Sequence, residues 1–181
     1  MGDLRYAYYP GCSLGSSAKE YDRSLREVFD RLEIELVDIE NWNCCGATPA
    51  GQDELLAYSL AARNLVWAEE RRLDVVAPCS ECFKNLHKAA GAAHNDRATR
   101  AQVNAILGGR TFRGTVLVKH PLEVVVRDVG LERVGALVKR PLYILIIDGV
   151  FEPFTTFRAE DAQIVWGGYG IGGYGTTGYG Y

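Results

Sequence analysis

The chain has 181 residues, of which 48% are apolar and 24% charged, a composition ordinary for one globular domain with or without an appendage. The net charge of −3, with lysine and arginine scattered among acids, excludes an electrostatic basis for nucleic-acid binding. No apolar run exceeds about six residues and no secretory signal is visible, so we expect a cytoplasmic protein without a direct membrane span.

Short apolar runs bounded by turn-forming residues predict four β-strands in the first two thirds of the chain. They lie at residues 4–9, 35–39, 74–77 and 115–119. Helical patterns separate these runs. Strands that alternate with helices at this spacing predict an α/β fold, in which a small parallel sheet is flanked by helices.

Several of the predicted helices have recognisable start and stop signals. Ser17-x-x-Glu20 forms a capping box for the first long helix, and Asp53 is a candidate N-cap for the second, which ends near residue 72. The remaining predictions are a helix after residue 82 that ends near Gly91, a helix over residues 96–107, and a helix that begins at Pro121.

All five cysteines lie between residues 12 and 82, in the pattern C-x31-CC-x33-C-x2-C. They are Cys12, Cys44, Cys45, Cys79 and Cys82. Each group follows one of the first three predicted strands, and the carboxyl ends of parallel strands share one edge of a sheet. We therefore expect the cysteine loops to meet at the carboxyl edge of the strands.

Clustered thiols in a reducing compartment are more typical of metal ligands or redox groups than of structural disulfides. Thiolates are soft donors that suit zinc or iron–sulfur units. Cys82 is predicted in the first turn of a helix, where free amide groups favour a thiolate. From the residues alone, four interpretations stay open: an iron–sulfur cluster, a zinc site that uses four thiols, a thiol–disulfide exchanger at Cys79 and Cys82, and buried structural cysteines.

Two residues beside the cysteines are candidates for supporting roles. Trp42 precedes the vicinal pair and is expected to shield the site rather than to contact a substrate. His120 follows the fourth predicted strand at the same edge, where it either serves the site or is a hydrogen-bonded packing residue. His87 and His94 are expected at the surface.

The segments around the cysteines resemble those of a known family. They read Tyr8-Tyr9-Pro10-Gly11-Cys12, Trp42-Asn43-Cys44-Cys45-Gly46 and Pro78-Cys79-Ser80-Glu81-Cys82, and Val118-Lys119-His120-Pro121-Leu122 follows further on. This pattern is similar to that of the cysteine-rich CCG domain, and in particular to the N-terminal half of the B-type subunit of heterodisulfide reductase. The resemblance covers roughly residues 4–142.

The resemblance implies an oxidoreductase subunit that transfers electrons to a small disulfide substrate, the mixed disulfide of coenzymes M and B. It implies a non-cubane 4Fe-4S cluster whose ligands would be Cys12, Cys44, Cys45, Cys79 and Cys82. It also implies partner subunits that carry further iron–sulfur clusters or flavin. Related subunits serve glycolate, lactate, glycerol-3-phosphate and certain succinate-oxidising systems, so the substrate stays open. The alternative is a non-catalytic, zinc-binding structural or protein-interaction module.

Subunits of this type carry a second cysteine motif, and residues 143–181 contain none. The chain is therefore either a single-motif relative or a truncated form with an unrelated tail. We predict a cysteine-rich domain over residues 1–142 and an atypical tail over residues 143–181. From residue 167 onward, eight of fifteen residues are glycine and four are tyrosine, which predicts disorder there.

Overall fold

Four parallel β-strands form the central sheet of the structure, a computed structural model that describes residues 4–49 and 51–138. The strands are β1 (Leu4–Tyr8), β2 (Ile34–Asp38), β3 (Asp74–Val76) and β4 (Val118–Lys119). They stand in the order β2-β1-β3-β4, so that β1 pairs with both β2 and β3. The predicted α/β fold with a small parallel sheet is confirmed.

Helices connect the strands and cover both faces of the sheet. They are α1 (Gly11–Gly15), α2 (Lys19–Arg31), α3 (Glu54–Glu70), α4 (Ser80–Asn95), α5 (Arg97–Ile106), α6 (Pro121–Glu123) and α7 (Leu131–Leu137), with a π-helical segment (Val124–Val129) between the last two. Asp53 caps α3 by accepting the N–H of Leu56, and Pro121 is the first residue of α6, both as predicted.

Two of the predicted helix boundaries are wrong. Ser17 does not cap α2, because the helix begins after Ala18 without a side-chain cap and the Ala18 N–H bonds to the carbonyl of Ser13 in the preceding turn. Helix α4 continues past Gly91, since Ala93 extends the buried face of the helix. In both cases contacts within the folded chain decide where the helix begins or ends.

Strand β4 is two residues long, shorter than the predicted run over residues 115–119. The carboxylate of Glu69 accepts the N–H of Thr115, and the carboxylate of Asp74 accepts the N–H of Leu117, both at 2.8–3.0 Å. The N–H groups of Thr115 and Leu117 are therefore bound by side chains of α3 and β3, whereas in a longer β4 they would be free to pair with a neighbouring strand.

Side chains of β1 alternate between two hydrophobic cores, one on each face of the sheet. Ala7 lies in the larger core, together with residues of α3, α4 and α5. Tyr6 and Tyr8 lie in the smaller core, together with residues of α2 and the π-helical segment. The sheet is therefore the middle one of three layers.

The order of the strands reverses between β1 and β3. The chain passes from β1 to β2 on one side and then returns to place β3 on the other side of β1. The connections that leave the carboxyl ends of β1 and β3 therefore diverge and open a crevice. Open α/β sheets bind their ligands at such a switch point.

Within residues 4–49 and 51–138, no helix combines the length and the apolar character needed to cross a membrane. The predicted domain boundary at residue 142, the tail over residues 143–181 and its disorder from residue 167 lie outside the described residues, and they stay predictions.

Candidate metal centre

The five cysteines follow the carboxyl ends of three neighbouring strands, as their order in the sequence predicts. Cys12 lies in α1 after β1, and Cys44 and Cys45 lie in the loop after β2. Cys79 is the N-cap residue of α4, and Cys82 lies in the first turn of that helix, after β3. All five are free thiols.

Four of the thiols lie close enough to shift one another's pKa values, and we call them the four-thiol group (Cys44, Cys45, Cys79 and Cys82). Cys82 and Cys44 act on the pKa of Cys45, and Cys45 and Cys79 act on the pKa of Cys82. Cys45 and Cys82 are each 3% exposed, whereas Cys44 is exposed and Cys79 is half-buried. Cys12 is exposed and lies beside the group, next to Gly11.

Two motif glycines allow the loops to approach closely. Gly11 has φ +72°, and a Cβ at this position would lie 2.8 Å from the sulfur of Cys82. Gly46 has φ +88°, and its Cβ would lie 2.5 Å from the carbonyl oxygen of Ala57 in α3. Gly11 therefore brings the Cys12 segment against α4, and Gly46 brings the vicinal cysteines against α3.

The surroundings shift the pKa values of the two buried thiols in opposite directions. Cys82 lowers the pKa of Cys45 against the effect of burial, and the Ala47 N–H and the Asn85 amide act in the same direction as Cys82. Cys45 and burial raise the pKa of Cys82. The lowered pKa favours the thiolate form of Cys45, which is the form that binds metal ions.

Asn85 is a buried residue of this site that the sequence analysis missed. It lies one helical turn after Cys82 and is 7% exposed. Its Nδ2 lies 3.9 Å from the sulfur of Cys45 and 3.3 Å from the carboxylate of Glu81. Asn85 thus directs amide hydrogens at the cysteines from within α4.

Asn64 is the second missed residue. It lies in α3, is 1% exposed, and bonds to the backbone of Asn43, which directly precedes Cys44. The sequence carries one signal for it, since asparagine is unfavourable inside a helix rich in alanine and leucine and is seldom buried without partners.

His120 is a hydrogen-bonded packing residue. Its Nε2 lies 3.1 Å from the carbonyl oxygen of Pro78, and its Nδ1 accepts the N–H of Leu122 at 3.3 Å, so that Nε2 carries the proton. The ring packs edge-on against Phe83. His120 therefore ties the loop after β4 to the loop that carries Cys79, while His87 and His94 are exposed, as expected.

Trp42 is half-buried and connects two of the cysteine segments. Its ring packs edge-on against Tyr9, with 5.6 Å between ring centroids, and lies close to Gly15 at the end of α1. The indole therefore spans from the Cys12 segment to the vicinal pair. Its predicted shielding of the site is compatible with this position.

The chemistry of the donor set fits the groups that the sequence suggests. Five thiols converge on one edge, two of them buried, and soft sulfur donors suit zinc or an iron–sulfur cluster. The glycine at position 11 lets the Cys12 segment lie directly against the Cys82 sulfur, where a side chain would clash. Within the described residues, no three His, Cys, Asp or Glu side chains are arranged around a single metal-ion position.

Comparison with known proteins bears on this site. Residues 6–87 match the model of the cysteine-rich domain named CCG, which confirms the resemblance drawn from the motifs. The matched residues contain all five cysteines.

Several curated proteins are similar over three quarters of the chain. The 8-methylmenaquinol:fumarate reductase membrane anchor subunit of Wolinella succinogenes is 38% identical over 140 residues, covering 76% of this chain and 48% of that protein. A protein of Archaeoglobus profundus, named for its likeness to the B-type subunit of heterodisulfide reductase, is 30% identical over 144 residues, covering 77% and 48%. The B-type subunit of the ferredoxin/F(420)H(2)-dependent CoB-CoM heterodisulfide reductase of Methanosarcina acetivorans is 25% identical over 142 residues, covering 76% and 47%. The chain thus spans about half the length of the relatives it matches.

Proposed function

Because residues 6–87 match the model of the cysteine-rich CCG domain, we propose that this chain is the iron–sulfur subunit of a redox complex and transfers electrons through a cluster held by its cysteines. The observation that carries the proposal is that the fold places all five cysteines after the carboxyl ends of three neighbouring strands, at the strand switch point. Soft thiolate donors are the ligands that iron–sulfur clusters use.

The proposed group is a non-cubane 4Fe-4S cluster, and its proposed ligands are Cys12, Cys44, Cys45, Cys79 and Cys82. Five thiolates exceed the four that an ordinary cubane needs, so a cluster that used all five, with both Cys44 and Cys45 as ligands, would be of another type. When bound, such a cluster takes up and releases one electron at a time.

The chain's own residues prepare the site for this role. The pKa of Cys45 is lowered by Cys82, with help from Asn85, which favours the thiolate form that a metal needs. Hydrogen bonds to ligand sulfurs raise the reduction potential of a cluster, so the Asn85 amide makes reduction easier. The Trp42 ring, packed on the buried Tyr9, keeps water away from one side of the loop.

The proposed substrate is a small disulfide, with the heterodisulfide of coenzymes M and B as the first candidate. The names of the relatives from Archaeoglobus profundus and Methanosarcina acetivorans support it. The proposed partners are subunits with further iron–sulfur clusters or flavin, and the proposed location is the cytoplasm. The relative from Wolinella succinogenes is named as a membrane anchor subunit, which supports a position at a membrane complex as the alternative location.

A zinc-stabilised structural or protein-interaction module is the second candidate. Tetrahedral zinc needs four thiolates, and the four-thiol group supplies that number without Cys12. The two candidates therefore differ in what they require of Cys12, which a cluster with five ligands uses and a zinc ion does not.

Anaerobic purification of the full chain, with iron, sulfide and zinc analysis and an EPR spectrum after mild oxidation, tests the proposal. We expect about four irons and four sulfides per chain, a paramagnetic signal that Cys45→Ser abolishes, and a large loss of iron in Cys12→Ser. Ser13→Ala is the control for a change beside Cys12 and should retain its iron. One zinc per chain, retained in Cys12→Ser, would contradict the proposal and support the structural module.

A further inference from the structure

Asn64 is among the most deeply buried polar side chains in the described part of the chain. It is 1% exposed and lies in α3 among alanine, leucine and valine residues that form the larger core. A buried amide is tolerated only where its donors and acceptor find partners. The partners of Asn64 show what it holds in place.

Both polar atoms of Asn64 bond to one residue of the cysteine loop. Oδ1 accepts the N–H of Asn43 at 2.9 Å, and Nδ2 donates to the carbonyl oxygen of Asn43 at 3.1 Å. A neighbouring β-strand would bind a residue in the same two-point manner. Nδ2 also donates to the carbonyl of Leu60, one turn earlier in α3. The side-chain amide is thus fully used.

Tyr9 reaches the same carbonyl oxygen from the end of β1. Its hydroxyl donates to the Asn43 oxygen at 2.7 Å, and the tyrosine side chain is fully buried. Burial and then the charges of the cysteines raise the pKa of Tyr9, so the phenol stays protonated as a donor. Helix α3 and strand β1 therefore fix one peptide group from two directions.

That peptide group is the one that joins Asn43 to Cys44. Because a trans peptide is planar, fixing the direction of the Asn43 carbonyl also fixes the direction of the Cys44 N–H and the path of the chain into the vicinal pair. The loop itself has no regular secondary structure, and Cys44 is exposed, so packing alone does not hold it.

We propose that Asn64 and Tyr9 are positioning residues of the metal centre, which act through the Asn43–Cys44 peptide to hold Cys44 and Cys45 in the geometry that binds metal. This inference rests on the proposed function, since it assumes that the vicinal thiols are ligands. It adds two residues, neither of them a proposed ligand, that set how tightly the cluster is held.

Two pairs of variants of the full chain test the proposal. Tyr9→Phe removes only the hydroxyl on Asn43, and Tyr8→Phe removes a hydroxyl of the adjacent residue on the opposite face of the sheet. Asn64→Ala removes the two-point bond, and Ser59→Ala removes another buried polar group of α3, whose hydroxyl bonds only within its own helix. Each variant is purified anaerobically, and its rate of iron loss to a chelator, its EPR spectrum and its midpoint potential are compared with those of the unchanged chain.

We expect Tyr9→Phe and Asn64→Ala to lose iron about 10- to 100-fold faster and to shift the EPR spectrum and the potential, with the two controls unchanged. Tyr9→Phe keeps the test valid if Asn64→Ala does not fold. Iron loss, spectrum and potential equal to those of the controls would overturn the inference while the proposed function stands. An unchanged chain that binds no iron would overturn both.

Discussion

The two faces of strand β1 use tyrosine hydroxyls in opposite ways. On the face covered by α2, Tyr6 donates to the carboxylate of Asp128 and Tyr8 to that of Asp22. The two carboxylates are also paired with cations, Asp128 with Lys119 and Asp22 with Arg26. On the face covered by α3, Tyr9 donates instead to the neutral backbone before the vicinal cysteines.

The choice of acceptor for the tyrosine hydroxyls is related to the charges on each face of the sheet. The thiolates on the α3 side are anionic, and carboxylates beside them would raise their pKa values and weaken metal binding. The donors within that core are neutral: a phenol and two amides, Tyr9, Asn64 and Asn85. The two carboxylates that accept tyrosine hydroxyls, Asp22 and Asp128, lie on the other face, where they link β1 to α2 and to the π-helical segment. The comparison therefore predicts that stability and metal binding can be changed separately.

The largest loss of stability is expected from a substitution in the smaller core, on the α2 face of the sheet. Phe29 is 1% exposed in the smaller core, which contains none of the cysteines. Phe29→Ala should lower the free energy of unfolding by about 3–5 kcal/mol, because it leaves a cavity. Urea denaturation measures this loss, and metal analysis of the folded protein should give an unchanged iron content. Iron loss from a variant that is still folded would show that stability and metal binding cannot be changed separately.

A substitution on the α3 face should reduce stability by less than Phe29→Ala does but should abolish metal binding. Gly46→Ala places a Cβ 2.5 Å from the Ala57 carbonyl oxygen at a φ of +88°. The overpacking and the left-handed backbone together should cost about 2–4 kcal/mol and should displace the vicinal thiols. Gly51→Ala, in the same loop and with open space around the added carbon, is the matched control. Equal iron contents in the two variants would count against the loop geometry described above.

The smallest effect depends on pH. Burial raises the pKa of Asp128, but the hydrogen bonds from Lys119 and Tyr6 outweigh it and lower the pKa below its ordinary value. Since the folded pKa lies below the unfolded value of about 3.9, the carboxylate stabilises the fold above that pH and loses its contribution as the pH falls through the folded value. Asp128→Asn should therefore cost about 1–2 kcal/mol at pH 7.

Thermal or urea unfolding of both proteins between pH 7 and pH 3 measures this dependence. The difference in stability should shrink toward the acid end of the range, where the carboxylate of the unchanged chain becomes protonated. A difference that stays constant with pH would show that packing, rather than the charge of Asp128, accounts for the effect.

The sequence predicted the framework of this fold because strands and loops here have local signals. Apolar runs that end before Cys12, before the vicinal pair and before Cys79 place the cysteines at the carboxyl edge. Local signals also gave the Asp53 cap. The ligand roles of the cysteines and the nature of the tail stay predictions.

What the sequence could not predict are contacts between distant positions. Asn64 bonds to Asn43 across 21 positions and Asn85 approaches Cys45 across 40, and neither spacing has a recognisable motif. The wrong prediction of a cap at Ser17 has a similar cause. The local motif is complete, but the Ala18 N–H bonds to the carbonyl of Ser13, and the helix begins without a side-chain cap. Residues that position a site from a neighbouring helix are therefore the part that only a three-dimensional structure provides.

The hydrogen bond between Tyr6 and Asp128 has a consequence for the order of events during synthesis. It joins positions 122 residues apart, so the α2 face can close only after Asp128 has been made. The five cysteines and Asn85 have all been synthesised once the chain reaches residue 85. A ribosome that adds about 5–20 residues per second then needs several more seconds to reach Asp128. For that interval the nascent chain presents its cysteines while the sheet is still open on one side. The surroundings of the thiols and the α2 face of the sheet are therefore completed at different times during synthesis.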